Sequence, residues 1–430
     1  MGSPAMGSPA PGREGWTAGF VALCVGQFLS HQTGLAFSAL IPILTPEWRL
    51  SAGQAGIILG AFQLGTLATY VAVGFLLDRM RSKPIMSWSA LLVGAGDLLF
   101  ALGARDFSSG LVLRLIVGVL IGGLYLPALK HIADTVPTSK RGTATGVYIA
   151  TIVVAYAAPL FYVGLLAPRI GWRVTMAGIG GLELLGALVM LWKVPSVTLP
   201  PVVGPVALSR YLGDVFRNAS ARRVIVAYTG HNWELFGLWG WLSPFMVASL
   251  AARGSAQSDA LAWGGLLAAV AVGLGGAVGA IAGGRLSDRL GRARAATVML
   301  AVSLICSLSF GWLFGASVAL TALVALLYGT VSLADSPSYS ATLMEVVPAR
   351  SLGGAFAVQM LFGWAATAAA PAAFGLVMDL GKGLHLSPAA QWGWAFGLLA
   401  LGPLAGIAAL GPLRNRARAG HTEDAGVAQR

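Results

Sequence analysis

Ionisable side chains set inside long apolar runs are where this sequence could do chemistry. The segment Tyr228-Thr-Gly-His231-Asn232-Trp233-Glu234 carries a phenol, an imidazole and a carboxyl at steps of three, which puts Tyr228, His231 and Glu234 within one arc of a helix. An ionised carboxylate surrounded by hydrocarbon is costly, so Glu234 is a candidate to bind and release a proton, and an imidazole one turn away can relay it. Asp335 precedes Ser336, Pro337, Ser338 and Tyr339. A proline at that point frees a backbone carbonyl and bends the helix beside an acid. His31, with Gln27 one turn before it, is a lone imidazole in another apolar run, as readily a hydrogen-bonded structural residue as a proton carrier. Lys130 lies four residues before Asp134, so an ordinary helical ion pair accounts for it as well as ligand binding does. Arg114, Asp97 and Glu183 complete the buried charges; no role for Asp97 or Glu183 follows from their positions.

Other chemistries are excluded by what is missing. Cys24 and Cys306 are isolated in apolar stretches and make neither a disulfide framework nor a metal site. The patterns GxxxxGK[ST], HExxH and GxSxG are absent, so neither nucleotide hydrolysis nor a familiar hydrolase site is expected, and no cofactor or metal is implied.

The elements that must hold these residues are membrane spans. Hydrophobic residues make up 57% of the 430 positions and charged residues only 10%, a composition that requires lipid around the chain. About twelve runs reach the roughly 20 residues that cross a bilayer: near 16 to 44, 52 to 77, 84 to 104, 109 to 131, 143 to 167, 172 to 193, 223 to 251, 260 to 284, 295 to 315, 317 to 342, 353 to 378 and 391 to 411. At about 1.5 Å per residue, Glu234 lies roughly 16 Å past Arg223 and Asp335 roughly 15 Å from Glu345, both near the bilayer centre. Residues 1–15, rich in Gly, Ser and Pro, read as a disordered tail, and the apolar run after them is too long for a signal-peptide core.

Lys and Arg fix the orientation. With the first terminus inside, Arg79, Arg81, Lys83, Lys140, Arg141, Arg222, Arg223, Arg289, Arg292, Arg294 and Arg350 fall on one face, and only Arg49, Arg105, Arg169, Arg173, Arg253 and Lys382 on the other. Both termini are therefore expected in the cytoplasm, in an inner (plasma) membrane. The net charge of +12 is a topogenic collar and not a nucleic-acid surface, because the basic residues are spread between apolar runs. The longest polar connection, 194–222, separates bundles at 16–193 and 223–411, with a tail at 412–430; within it, Val206 to Phe216 suits either a short interfacial helix or a plain linker.

The halves repeat each other. Gly74-Phe-Leu-Leu-Asp78-Arg79 matches Gly284-Arg-Leu-Ser-Asp288-Arg289-Leu-Gly291-Arg292, at an offset of about 210 residues. A similar offset relates Asp134 and Pro137 to Glu345 and Pro348, and Pro159 to Pro371. An aspartate just past a helix end can accept hydrogen bonds from the free N–H groups at the start of a neighbouring helix. Asp78 and Asp288 would do so only with the cytoplasmic ends closed, which makes Gly74, Asp78, Arg79, Gly284, Asp288 and Arg289, with Asp134 and Glu345, a candidate conformational latch.

With these motifs the chain resembles the major facilitator superfamily over about residues 16 to 411: its GxLxDRxGRR loop is matched at Gly74, Leu76, Asp78 and Arg79 and more fully after the eighth span, and its RxxxGxxxG pattern at Arg114, Gly118 and Gly122. Arg81 stands where the first loop has a second glycine. The resemblance implies an all-α membrane protein of twelve transmembrane helices in two pseudo-symmetric six-helix bundles, a secondary transporter working by alternating access. It implies that spans 1, 4, 7 and 10 line a central cavity, and a structural or proton-coupling role for Arg114. Expected partners are a small solute, protons and lipid, with the protein a monomer. The helix 5 pattern GxxxGP of antiporters is eroded to Val154 and Ala158-Pro159, and the paired intramembrane arginines of nitrate porters have no counterpart. Uptake of a small organic anion with a proton is preferred, since Lys130 and Arg114 can attract an anion; the alternatives are drug/proton antiport and a receptor or scaffold that does not transport.

Overall fold

A computed structural model describes residues 17–77, 80–197, 215–348 and 351–413. All its regular structure is helical, as lipid demands of backbone groups that have no water to bond. The helices are α1 (in two halves, Ala18–Ser30 and Ala36–Glu47), α2 (Ala52–Leu76), α3 (Ser82–Gly103), α4 (Phe107–Thr135), α5 (Thr138–Ile170) and α6 (Trp172–Lys193), then α7 (Ala219–Ala252), α8 (Gln257–Leu290), α9 (Arg292–Leu313), α10 (Val318–Val346), α11 (Leu352–Gly383) and α12 (Pro388–Leu413). The last ten of these are each long and apolar enough to cross a bilayer, while the halves of α1 are short and α2 has 25 residues without a charged side chain. Together they fit twelve spans in the expected order. The N-terminal tail, most of the linker with its candidate interfacial helix, and the C-terminal tail lie outside the described residues.

Local signals set many of the helix starts. Thr17, Asn218, Ser317 and Ser387 accept backbone N–H bonds as N-caps, and Ser51 and Asp106 close capping boxes with Gln54 and Ser109. Hydrogen bonds from Ser109 hold the exposed Asp106 carboxyl below the usual carboxylate range. Gly171 and Gly291, at φ of 86° and 82°, turn the chain between α5 and α6 and between α8 and α9.

Interruptions in α1, α4 and α10 place the site. Helix α1 breaks over residues 31–35, α4 loosens at residues 122–124, and α10 breaks at Asp335, two residues before Pro337. Proline explains α10, since Pro337 has no N–H for the preceding turn.

Glycines decide how closely the helices approach. A Cβ at Gly118 would lie 2.0 Å from the Phe62 carbonyl oxygen, so the RxxxGxxxG pattern serves to seat α4 on α2. Between the bundles, a Cβ at Gly56 would meet the Pro371 oxygen at 2.1 Å, one at Gly60 the Ala368 oxygen at 2.3 Å, and those at Gly164 and Gly265 the Leu261 and Leu160 oxygens at 2.3 and 2.1 Å. These contacts pair α2 with α11 and α5 with α8, all in the half of the molecule that carries the Ser51 loop.

Candidate functional site

On α7 the three residues of the polar arc diverge to different partners. Glu234, 1% exposed, accepts hydrogen bonds at Oε1 from Ser303 Oγ (2.7 Å) and Ser307 Oγ (2.6 Å) of α9. Ser307 in turn bonds the Tyr328 hydroxyl of α10 at 2.7 Å. The carboxylate thus points into the C-terminal bundle, held by hydroxyls and touched by no cation among the described residues.

His231 Nδ1 lies 2.8 Å from Asp335 Oδ1, and the Tyr339 hydroxyl donates to Asp335 Oδ2 at 2.5 Å. Asp335 stands at the break itself, between the two halves of α10. Tyr228 packs its ring 6.0 Å from Tyr339 and 6.1 Å from His231. Asp335, His231, Tyr228 and Tyr339 therefore form one cluster, with Glu234 behind it.

The region where both bundles meet is aromatic. Tyr70 of α2 stands edge-on to Trp364 of α11 with centroids 4.9 Å apart, and 6.2 Å from Tyr125 of α4, which stacks on Tyr148 of α5. Trp364 continues to Phe236 and Trp239 of α7, and Trp239 to Tyr156 of α5. His31 sits 6.0 Å from Tyr156 with Nδ1 2.8 Å from the Gln27 carbonyl. Tyr70, Tyr125, Tyr156 and Trp364 thus form a wall contributed by both halves. Trp233 and Trp241 are tied instead to the Leu398 and Pro371 carbonyls.

Arg114 is 1% exposed, and its guanidinium donates to the Thr33 hydroxyl (2.6 Å) and carbonyl (3.2 Å) at the α1 break. Asp97 Oδ1 of α3 lies 3.6 Å away, and Glu183 of α6 accepts from the Thr33 N–H at 3.0 Å. The rings of Phe62, Phe37 and Phe100 surround the guanidinium at 4.4 to 5.9 Å. Enclosed in this way, Arg114 presents no exposed charge in this conformation. Asp97 and Glu183, without a role in the sequence, are its neighbours. Lys130 makes the helical pair with Asp134 at 3.0 Å and stays 30% exposed.

Of the expected latch, Asp78 and Arg79 lie outside the described residues. Gly74 and Gly284 are within α2 and α8, and a Cβ at Gly284 would meet nothing within 4 Å. Asp288 pairs with Arg292, four residues on, at 2.5 Å, and Arg292 also reaches Glu345 at 3.4 Å; Arg289 is exposed. These contacts stay inside the C-terminal bundle. The contact imagined for the latch, an aspartate on the start of a helix in the other bundle, occurs at the opposite end: Asp379 of α11 accepts from Ser51 Oγ (2.6 Å), Ala52 N (2.9 Å) and Gly53 N (2.8 Å) of α2. The acid that meets Ser51 is more than 300 residues away along the chain.

The sequence model of the major facilitator superfamily matches residues 23–371, from α1 through the middle of α11. The chain belongs to the major facilitator superfamily. It is accordingly a multi-pass membrane protein of that family. Among curated relatives of this transporter, an uncharacterised transporter of Buchnera aphidicola is 24% identical over 180 residues, 41% of this chain and 42% of that protein. The probable sulfoacetate transporter SauU of Cupriavidus necator is 24% identical over 164 residues, 38% of this chain and 37% of that protein. The match thus spans about two fifths of the length of these relatives. Among solved structures, a bacterial homologue of the human lysosomal transporter Spinster in an inward-facing, unoccupied conformation superposes with a TM-score of 0.74 at 17% identity, over 92% of this chain and 96% of that one. A D-xylose–proton symporter does so with a TM-score of 0.67 at 16% identity, over 90% and 96%.

Proposed function

We propose that this transporter moves a small organic solute with an apolar or aromatic body by alternating access, in exchange for or together with a proton. The observation that carries this reading is the aromatic wall of Tyr70, Tyr125, Tyr156 and Trp364, built from both bundles and flanked by the Tyr228, His231 and Asp335 cluster. Aromatic faces stack on a flat apolar body, and phenol hydroxyls offer hydrogen bonds to its polar edge. Glu234 and Asp335 are the proton-coupling candidates, with His231 and His31 as relays.

A second reading, uptake of an organic anion, is favoured by the exposure of Lys130 and by the resemblance to the sulfoacetate transporter; it requires Lys130 to leave Asp134. The drug/proton antiport alternative shares the aromatic site and differs in the sign of coupling. Proteoliposomes with an imposed pH gradient separate these: solute-dependent alkalinisation of the outer medium marks symport, and acidification marks antiport. No proton movement and no solute exchange with any compound that stabilises the protein would reduce the chain to a receptor or scaffold.

We further read the Gly291 end as cytoplasmic and the Ser51 end as external, so that the close glycine contacts and Asp379 shut the external side and the cavity opens inward. In a background with Cys24 and Cys306 changed to serine, a cysteine at Asp106 or Ser255 should react with a membrane-impermeant thiol reagent added to intact cells, and one at Lys140 or Ala293 should not. The reverse pattern inverts the orientation.

A further inference from the structure

We propose that Asp97, Glu183 and Arg114 form a proton-binding site inside the N-terminal bundle, two carboxyl groups sharing one proton beside a fixed guanidinium. Both acids are 0% exposed, and each is a near neighbour of the other as well as of Arg114. Among the described residues neither Asp97 oxygen nor Glu183 Oε2 accepts a hydrogen bond, the nearest cation to Asp97 Oδ1 being the Arg114 guanidinium at 3.6 Å. Buried carboxyl oxygens that accept no hydrogen bond, on two neighbouring acids, are what a proton shared between one oxygen of each would partly satisfy.

The charges lead to the same conclusion. Each helix packed around the group contributes as follows among the described residues: α3 Asp97, α4 Arg114, α6 Glu183 and α5 the phenols of Tyr156 and Tyr162. From α1 come the neutral Thr33 and the ring of Phe37, and from α2 the ring of Phe62. His31 turns away to Gln27 and Tyr156. Two ionised carboxylates against one guanidinium would leave an unbalanced negative charge in hydrocarbon surroundings. Two like charges in contact cannot both ionise there without a large cost. One proton makes the group neutral, and the titration belongs to the pair as a unit.

The site is joined to a backbone that can move. Glu183 holds the Thr33 N–H, and Arg114 holds the Thr33 hydroxyl and carbonyl, so the same side chains that hold the proton satisfy the groups freed by the α1 break. Loss of the proton would set the carboxylates against each other across those contacts, which ties protonation to the angle between the halves of α1. This concerns proton binding in the folded protein and does not depend on which acid couples transport.

Purified protein tests it by infrared spectroscopy in H2O and D2O together with thermal denaturation, the proton itself being the probe. At neutral pH the parent should show a deuterium-sensitive protonated-carboxyl band that is lost in both Asp97→Asn and Glu183→Gln and kept in Glu234→Gln. Each single variant leaves one carboxylate for one guanidinium and should melt within about 3 °C of the parent, while the double variant strands Arg114 and should melt about 10 °C lower or fail to fold. A parent without the band, a band unchanged in Asp97→Asn and Glu183→Gln, or single variants that unfold as readily as the double one would each overturn the proposal. Loss of solute accumulation in Glu234→Gln with the band retained would separate this site from the coupling acid.

Discussion

Glu234→Gln should abolish proton-driven accumulation of solute and leave solute exchange intact. Glu234 has two serine hydroxyls as donors and no cation in contact, while the nearby His231 is engaged by Asp335. The charge on Glu234 is therefore uncompensated, and a step of the cycle in which it carries a proton follows from the cost of burying that charge. Glutamine keeps the size of the side chain and an amide oxygen for Ser303 and Ser307, so folding should be unaffected. A pH gradient of one unit supplies about 1.4 kcal/mol per proton, or about tenfold accumulation for one proton per solute. In Glu234→Gln that ratio should fall to about one, with counterflow of labelled solute within about twofold of the parent. Asp335→Asn should lose both activities, since Asp335 orders His231 and Tyr339 around the solute region. Tenfold accumulation retained in Glu234→Gln would remove this acid from coupling.

Asp379→Asn should loosen the external closure. The carboxylate makes three hydrogen bonds to the start of α2, two of them to backbone N–H groups at the positive end of the helix. Asparagine has one acceptor oxygen and brings an amide group where a donor already stands. Charge-assisted bonds of this kind are worth about 1.5–3 kcal/mol, and these exist in only one of the two closures, so the population closed at the Ser51 end should fall about tenfold or more. Spin labels at Gln54 and Lys382 would read the change as growth of a longer-distance population, and accumulation should fall because the cycle stalls open to the outside. An unchanged distance distribution would show that the glycine contacts of α2 and α11 alone hold this end shut, and would make Asp379 an ordinary helix cap.

Much of the membrane architecture was legible in the order of residues. Spans are read from runs of hydrocarbon side chains, because each helix satisfies its own backbone and needs only length and apolarity. Capping residues such as Ser51, Asp106 and Asn218 act on N–H groups two or three positions away, which is also local. The pairing of Lys130 with Asp134 lies within the same reach, and the duplication around Asp78 and Asp288 is read by laying one half of the sequence on the other. Interior partners were another matter. Tyr228, His231 and Glu234 share an arc by their spacing, yet only packing decided that His231 meets Asp335 on α10 and that Glu234 meets Ser303 and Ser307 on α9. Arg114 stood in the sequence as a cation for an anionic solute; the fold enclosed it in phenylalanine rings and set Asp97 and Glu183 beside it. The closing contact between the bundles fell to Asp379, far along the chain from Ser51. A buried charge chooses its partner by distance across helices, to which the spacing of residues along one helix gives no access, and for this protein that choice belonged to the tertiary structure.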